Sequence, residues 1–78
     1  MDDREYRQRL IARVEALRKE ALMTLPEFHV RIGVVASRDW IEIVANQDKE
    51  KSQYFSLKAI SRICEVFGVG TELLQFKS

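Results

Sequence analysis

With 78 residues, 46% of them apolar and 32% charged, the chain is long enough for one small packed core and excludes both a two-domain protein and a disordered segment. Its longest apolar run, Ile32 to Ala36, is far too short to span a membrane. A net charge of +1 leaves little capacity for neutralising phosphates, the main source of non-specific nucleic-acid affinity.

No basic stretch followed by an apolar one marks a signal peptide. The single cysteine, Cys64, excludes an internal disulfide and fits a reducing cytoplasm.

Residues 4 to 21 are predicted to form the first helix. Leu10, Val14, Leu17 and Ala21 recur at helical spacing and share one face. The opposite face is rich in Arg and Glu and reads as solvated. Asp2, Asp3 and Glu5 near its start, with Arg18 and Lys19 near its end, complement the helix dipole. Thr24 is the next N-cap, with Pro26 and Glu27 in the first turn, where a missing amide and a carboxylate are both tolerated. Phe28 and Ile32 lie one turn apart, and Gly33 ends this second helix over 25–33 because glycine accepts positive φ.

Ser37 is the predicted N-cap of a third helix over 38–46. Its inward stripe is either Trp40 with Ile43 and Val44 or Ile41 with Val44, and periodicity allows both. Asn46 is placed to close it in the left-handed conformation. Gln47 to Gln53 is polar and reads as an exposed loop. Ser56 then caps a fourth helix over 56–67 with Leu57, Ile60, Ile63, Cys64 and Phe67 along one stripe, and Gly68 stops it. Thr71 opens a last short helix through Phe76, with Leu73, Leu74 and Phe76 apolar. The chain has no internal repeat and no low-complexity tract. It reads as one all-α domain over 1–78, a five-helix bundle without strands.

The order of these signals carries more than the fold class. Leu17-Arg18 closes the first helix. Thr24-Leu25-Pro26-Glu27-Phe28-His29-Val30-Arg31-Ile32-Gly33-Val34 makes the second and its stop. Ser56-Leu57 opens the fourth, Phe67-Gly68-Val69 ends it, and Glu72-Leu73-Leu74 follows. Over roughly Leu17 to Leu74 this arrangement resembles the phage-repressor and Cro family of helix-turn-helix domains. The resemblance implies a lambda-repressor-like bundle and a transcriptional regulator that binds double-stranded DNA as a homodimer on a two-fold operator. The chain departs from that pattern at particular positions. Leu25 stands where the family often has Gln. His29 stands where it has a small Ala at the helix crossing, and Leu22 where it favours Gly. The turn Val34 to Ser37 reads one or two residues longer than usual. Val44-Ala45-Asn46 replaces the family's Glu and Gly, so Arg18 lacks its customary Glu and must find another partner or stay solvated.

DNA reading needs side chains at the start and outer face of a helix that enters the major groove. The resemblance places Ser37, Arg38, Asp39 and Glu42 there. Arg38 suits guanine, and Asp39 or Glu42 suits a cytosine amino group although both repel phosphates. Alternatively Arg38 pairs with one of these acids on an ordinary surface. Phosphate contacts would come from Thr24, Arg31, Lys49, Lys51, Gln53, Tyr54 and Lys58, aided by helix amides. The Lys49–Lys51 stretch reads equally as a plain solvated loop. From Phe28 to Lys58 the basic residues Arg31, Arg38, Lys49, Lys51 and Lys58 barely outnumber Asp39, Glu42, Asp48 and Glu50.

A second reading uses the same scaffold as an interaction module or anti-regulator. It would engage another regulatory protein through Trp40, Ile41 and Ile43 and have weak or no DNA affinity. Trp40 as a buried anchor is favoured over Trp40 as an exposed hot spot. His29 has no second His and only Cys64 to accompany it, so no zinc set forms. Cys64 on an apolar stripe reads as core. No carboxylate pair, phosphate-cradling loop or catalytic triad can be assembled, so the reading is a non-enzyme without a cofactor.

Overall fold

The computed structural model describes residues 2–48 and 57–74, with the side chains of Asp3 and Leu73 left aside. It is all-helical: α1 (Asp3–Glu20), α2 (Leu25–Ile32), α3 (Val34–Ala45), α4 (Leu57–Phe67) and a 3-10 helix over Thr71–Leu74. The expected fifth helix is therefore a single tight turn among the described residues, and its predicted extension over 75–76 lies outside them. Four residues supply too few backbone hydrogen bonds for an α-helix to nucleate on its own. Leu74 is nonetheless fully buried, and its carbonyl accepts a hydrogen bond from the Tyr6 hydroxyl at 3.2 Å.

The helix starts follow capping chemistry. Asp2 accepts from the Glu5 amide at 2.7 Å, and Thr24 accepts from the Glu27 amide at 3.2 Å. Two of the helix ends share one hydrogen-bond pattern. At α4, Gly68 (φ +66°) donates to Glu65 and Val69 donates to Cys64. At α1, Leu22 (φ +56°) donates to Lys19 and Met23 donates to Arg18. Both are Schellman ends, which place one residue in the left-handed region. Glycine fills that slot at α4, as predicted, while α1 holds a leucine there. The position where the repressor pattern would favour glycine is thus a position where the backbone asks for one. A leucine there costs about 1–2 kcal/mol, and Leu22 is 91% exposed, so its side chain contributes little packing in return. Leu22→Gly is expected to raise stability by about 1 kcal/mol, measured by urea unfolding; a loss would show that the leucine packs usefully.

Among the described residues four α-helices close around one core. α3 packs on α2 and α4, and α1 crosses α3, α4 and the 3-10 helix. Phe28 sits at the centre, edge-on to Trp40 at 6.3 Å between centroids and stacked on Phe67 at 6.0 Å. Leu10 and Val14 of α1, Ile43 of α3 and Ile60, Ile63 and Cys64 of α4 complete it. Burial raises the Cys64 thiol above its usual pKa, with a smaller contribution from the Glu72 charge, as suits a core cysteine.

Several faces differ from the pattern read in the sequence. Ala21 is exposed because α1 stops at Glu20. Leu57 is 66% exposed, since it is the first residue of α4 and precedes the packed turns, while Ala59 takes an inward place. Arg7 is buried at 3% exposure, on the same face as Leu10 and Val14, rather than solvated with the other α1 arginines. Arg18 finds its partner on its own helix. It donates to Glu15 at 2.6 Å and to the Met23 carbonyl at 2.7 Å, tying α1 to the segment that leads into α2. The Glu15 hydrogen bond raises the pKa of this guanidinium. Among the described residues no helix is long and apolar enough to cross a membrane.

Candidate functional site

The site is built on α2, Gly33 and α3. Gly33 has φ +92° and ψ +166°, a region that only glycine occupies at low cost. Its amide donates back to His29 at 3.3 Å and its carbonyl accepts from Ser37 at 2.8 Å. One residue therefore ends α2 and starts α3. The lengthened turn predicted over Val34 to Ser37 does not exist; those residues form the first turn of α3. Ser37 is not an N-cap. It stands inside the helix, and its hydroxyl bonds His29 Nδ1 at 2.7 Å. This bond gives the bulky His29 a polar partner where the two helices cross. A methyl group at Gly33 would meet nothing within 4 Å, so the backbone alone makes glycine necessary. Gly33→Ala is expected to cost about 2 kcal/mol of unfolding free energy, and an unchanged denaturation midpoint would contradict it.

The early start of α3 settles its phase. Ala36, Trp40 and Ile43 point inward with Val44 half-buried, so Trp40 is 2% exposed and Ile41 is 54% exposed. The stripe with Trp40 inward is the one adopted. The outward face carries Val34, Arg38, Ile41, Glu42 and Ala45, with Val35 beside them. Asn46 closes the helix at φ −104°, outside the left-handed region, with its side chain donating to the Glu42 carbonyl at 2.7 Å. That hydrogen bond replaces the conformational stop expected of it.

The predicted base-contact residues take distinct places. Arg38 and Glu42 are exposed on the outer face of α3. Asp39 is half-buried on the flank towards α4. Ser37 is half-buried and its hydroxyl is engaged by His29. Among the predicted phosphate contacts, Thr24 is exposed at the α2 cap and Lys58 is exposed in the first turn of α4. Arg31 is exposed but ion-paired with Glu27 at 3.3 Å. Lys49, Lys51, Gln53 and Tyr54 lie outside the described residues.

Two features were missed in the sequence. Val34 and Val35, read as turn, are 85% and 62% exposed at the leading turn of α3. The spacing of Ala36, Trp40 and Ile43 could have revealed this, since it continues the apolar stripe back almost to Gly33. Arg62 of α4 is the other. It donates to the Arg31 carbonyl at 3.0 Å and the Ile32 carbonyl at 3.4 Å, and pairs with Glu65 at 3.0 Å. It thereby satisfies carbonyls at the end of α2 and holds α4 against the α2–α3 junction.

Two concavities flank α3. A groove of about 490 Å³ runs between α1, α2 and α3, lined by Ile11, Leu25, His29, Trp40, Ile41 and Val44. A shallower hollow of about 330 Å³ lies towards α4, lined by Val34, Val35, Asp39, Lys58 and Arg62. Among the described residues no three metal-ligating side chains converge. In comparisons with known proteins, no family model, no curated protein and no solved structure matches this chain.

Proposed function

We propose that the chain is a helix-turn-helix regulator of transcription that binds double-stranded DNA as a homodimer on a two-fold operator. The observation that carries this reading is the exposure of Arg38 in the middle of the outer face of α3. That helix is held from behind by Trp40 and Ile43 and is joined to α2 through a single glycine. A narrow rod with an outward guanidinium is what bidentate guanine reading requires. The repressor-like order of capping, stop and Arg18 signals supports the same assignment, and exposed Thr24 and Lys58 are available to phosphates. With so few cations, the dependence of affinity on salt is shallow.

The test is selection of duplexes from a randomised library at low salt, followed by anisotropy titration of the enriched sequence. A two-fold site with half-sites about 34 Å apart supports the reading. Failure to enrich any sequence overturns it. Under the second reading the chain is an interaction module or anti-regulator for another regulatory protein. Of the residues expected to carry it, Trp40 and Ile43 are buried and Ile41 is exposed; Ile41 favours it together with exposed Val34 and the adjacent Val35 in a chain of net charge +1.

A further inference from the structure

We propose that Val34 and Val35 read the C5-methyl groups of thymines next to the base contacted by Arg38, an inference that rests on the DNA-binding reading above. The two valines are consecutive, 85% and 62% exposed, and form the leading turn of α3. Single exposed apolar residues are ordinary on a protein surface. Two adjacent β-branched ones at the tip of the helix that carries Arg38 leave apolar area with no cover in the monomer. Neither side chain can donate or accept a hydrogen bond. Of the base edges displayed in the major groove, thymine alone offers an apolar group.

The surroundings of the valines supply cations for a duplex. Val34 and Val35 line the same hollow as Asp39, Lys58 and Arg62, and Arg38 follows Val34 one turn along the outer face. Arg38 and Lys58 are the exposed cations around the valines, with Glu42 exposed beside Arg38 and Asp39 half-buried in the hollow. The same cations complement phosphates on either side of a base edge. The Ser37 hydroxyl is committed to His29, so polar reading falls to Arg38 and Glu42 while the valines add the apolar component. Four residues of helix rise about 6 Å, so the methyl groups lie within about two base pairs of the guanine.

The experiment uses the full chain and the duplex enriched by selection. Each thymine of the half-site is replaced in turn by deoxyuridine, which lacks only the methyl group, and affinity is measured by anisotropy. One or two thymines beside the guanine are expected to weaken wild-type binding about fourfold per methyl. The double variant Val34→Ala, Val35→Ala is expected to keep its circular dichroism and melting temperature, bind more weakly, and respond less than about twofold to the same replacement. If the duplex binds and Arg38→Ala weakens it, yet no deoxyuridine changes affinity, the methyl contact is overturned and the DNA reading stands. If no duplex is retained, both fall. If no duplex is retained and the double variant converts a self-associated chain to monomer in sedimentation, both are overturned in favour of a self-association surface.

Discussion

Trp40→Ala is expected to lower unfolding free energy by about 3–5 kcal/mol, the usual cost of emptying a buried aromatic site. A chain of this length has a total of about 4–12 kcal/mol to lose. The indole is 2% exposed and meets Phe28 edge-on at 6.3 Å, while Phe28 stacks on Phe67 of α4. Removing it withdraws the largest side chain that α3 contributes to the core, and Phe28 cannot collapse into the space without moving α2. Ile41→Ala is the control. It changes the next residue, which is 54% exposed, and is expected to cost less than about 1 kcal/mol. Urea unfolding followed by far-UV circular dichroism measures both. Equal losses at Trp40 and Ile41 would contradict the phase of α3, and with it the outward placement of Arg38.

The second large effect is on binding rather than stability. Arg38→Ala is expected to weaken the selected duplex about ten- to a hundredfold, the worth of one bidentate guanine contact. The loss should depend on sequence, so that duplexes carrying another base at the contacted position are affected much less. Arg38 is exposed and makes no ion pair with another described residue, so folding should be unaffected. Lys58→Ala provides the contrast. A phosphate contact is expected to weaken all sequences alike and to reduce the salt slope by about one. Indistinguishable behaviour of the two variants would assign Arg38 to bulk attraction and not to base reading.

Much of the bundle could be read from the sequence because local chemistry and burial agree there. Thr24, Pro26, Phe28, Ile32 and Gly33 each perform the role their type and position suggested, and α1, α2 and α4 lie within about a residue of expectation. The start of α3 was the failure. Ser37 is a strong capping residue, and two β-branched valines after a glycine resemble a turn, so the local signal pointed one turn too far along. The core overrode it: Ala36 packs with Trp40 and Ile43, and Gly33 can bend the chain sharply enough to need no further residues. That displaced start hides Val34 and Val35 and gives to capping and base contact a hydroxyl that His29 holds. Arg62 was illegible for another reason. Its bonds to Arg31 and Ile32 cross about thirty positions of sequence, and no periodicity marks such a contact.

The most direct measurement is a nuclear magnetic resonance titration of the isotope-labelled chain with the selected duplex. The largest shift changes are expected at Val34, Val35, Arg38 and Glu42, with smaller ones at Thr24 and Lys58. Changes confined to Ile11, Glu15 and Leu25 along the opposite groove, with Val34 and Arg38 silent, would contradict it.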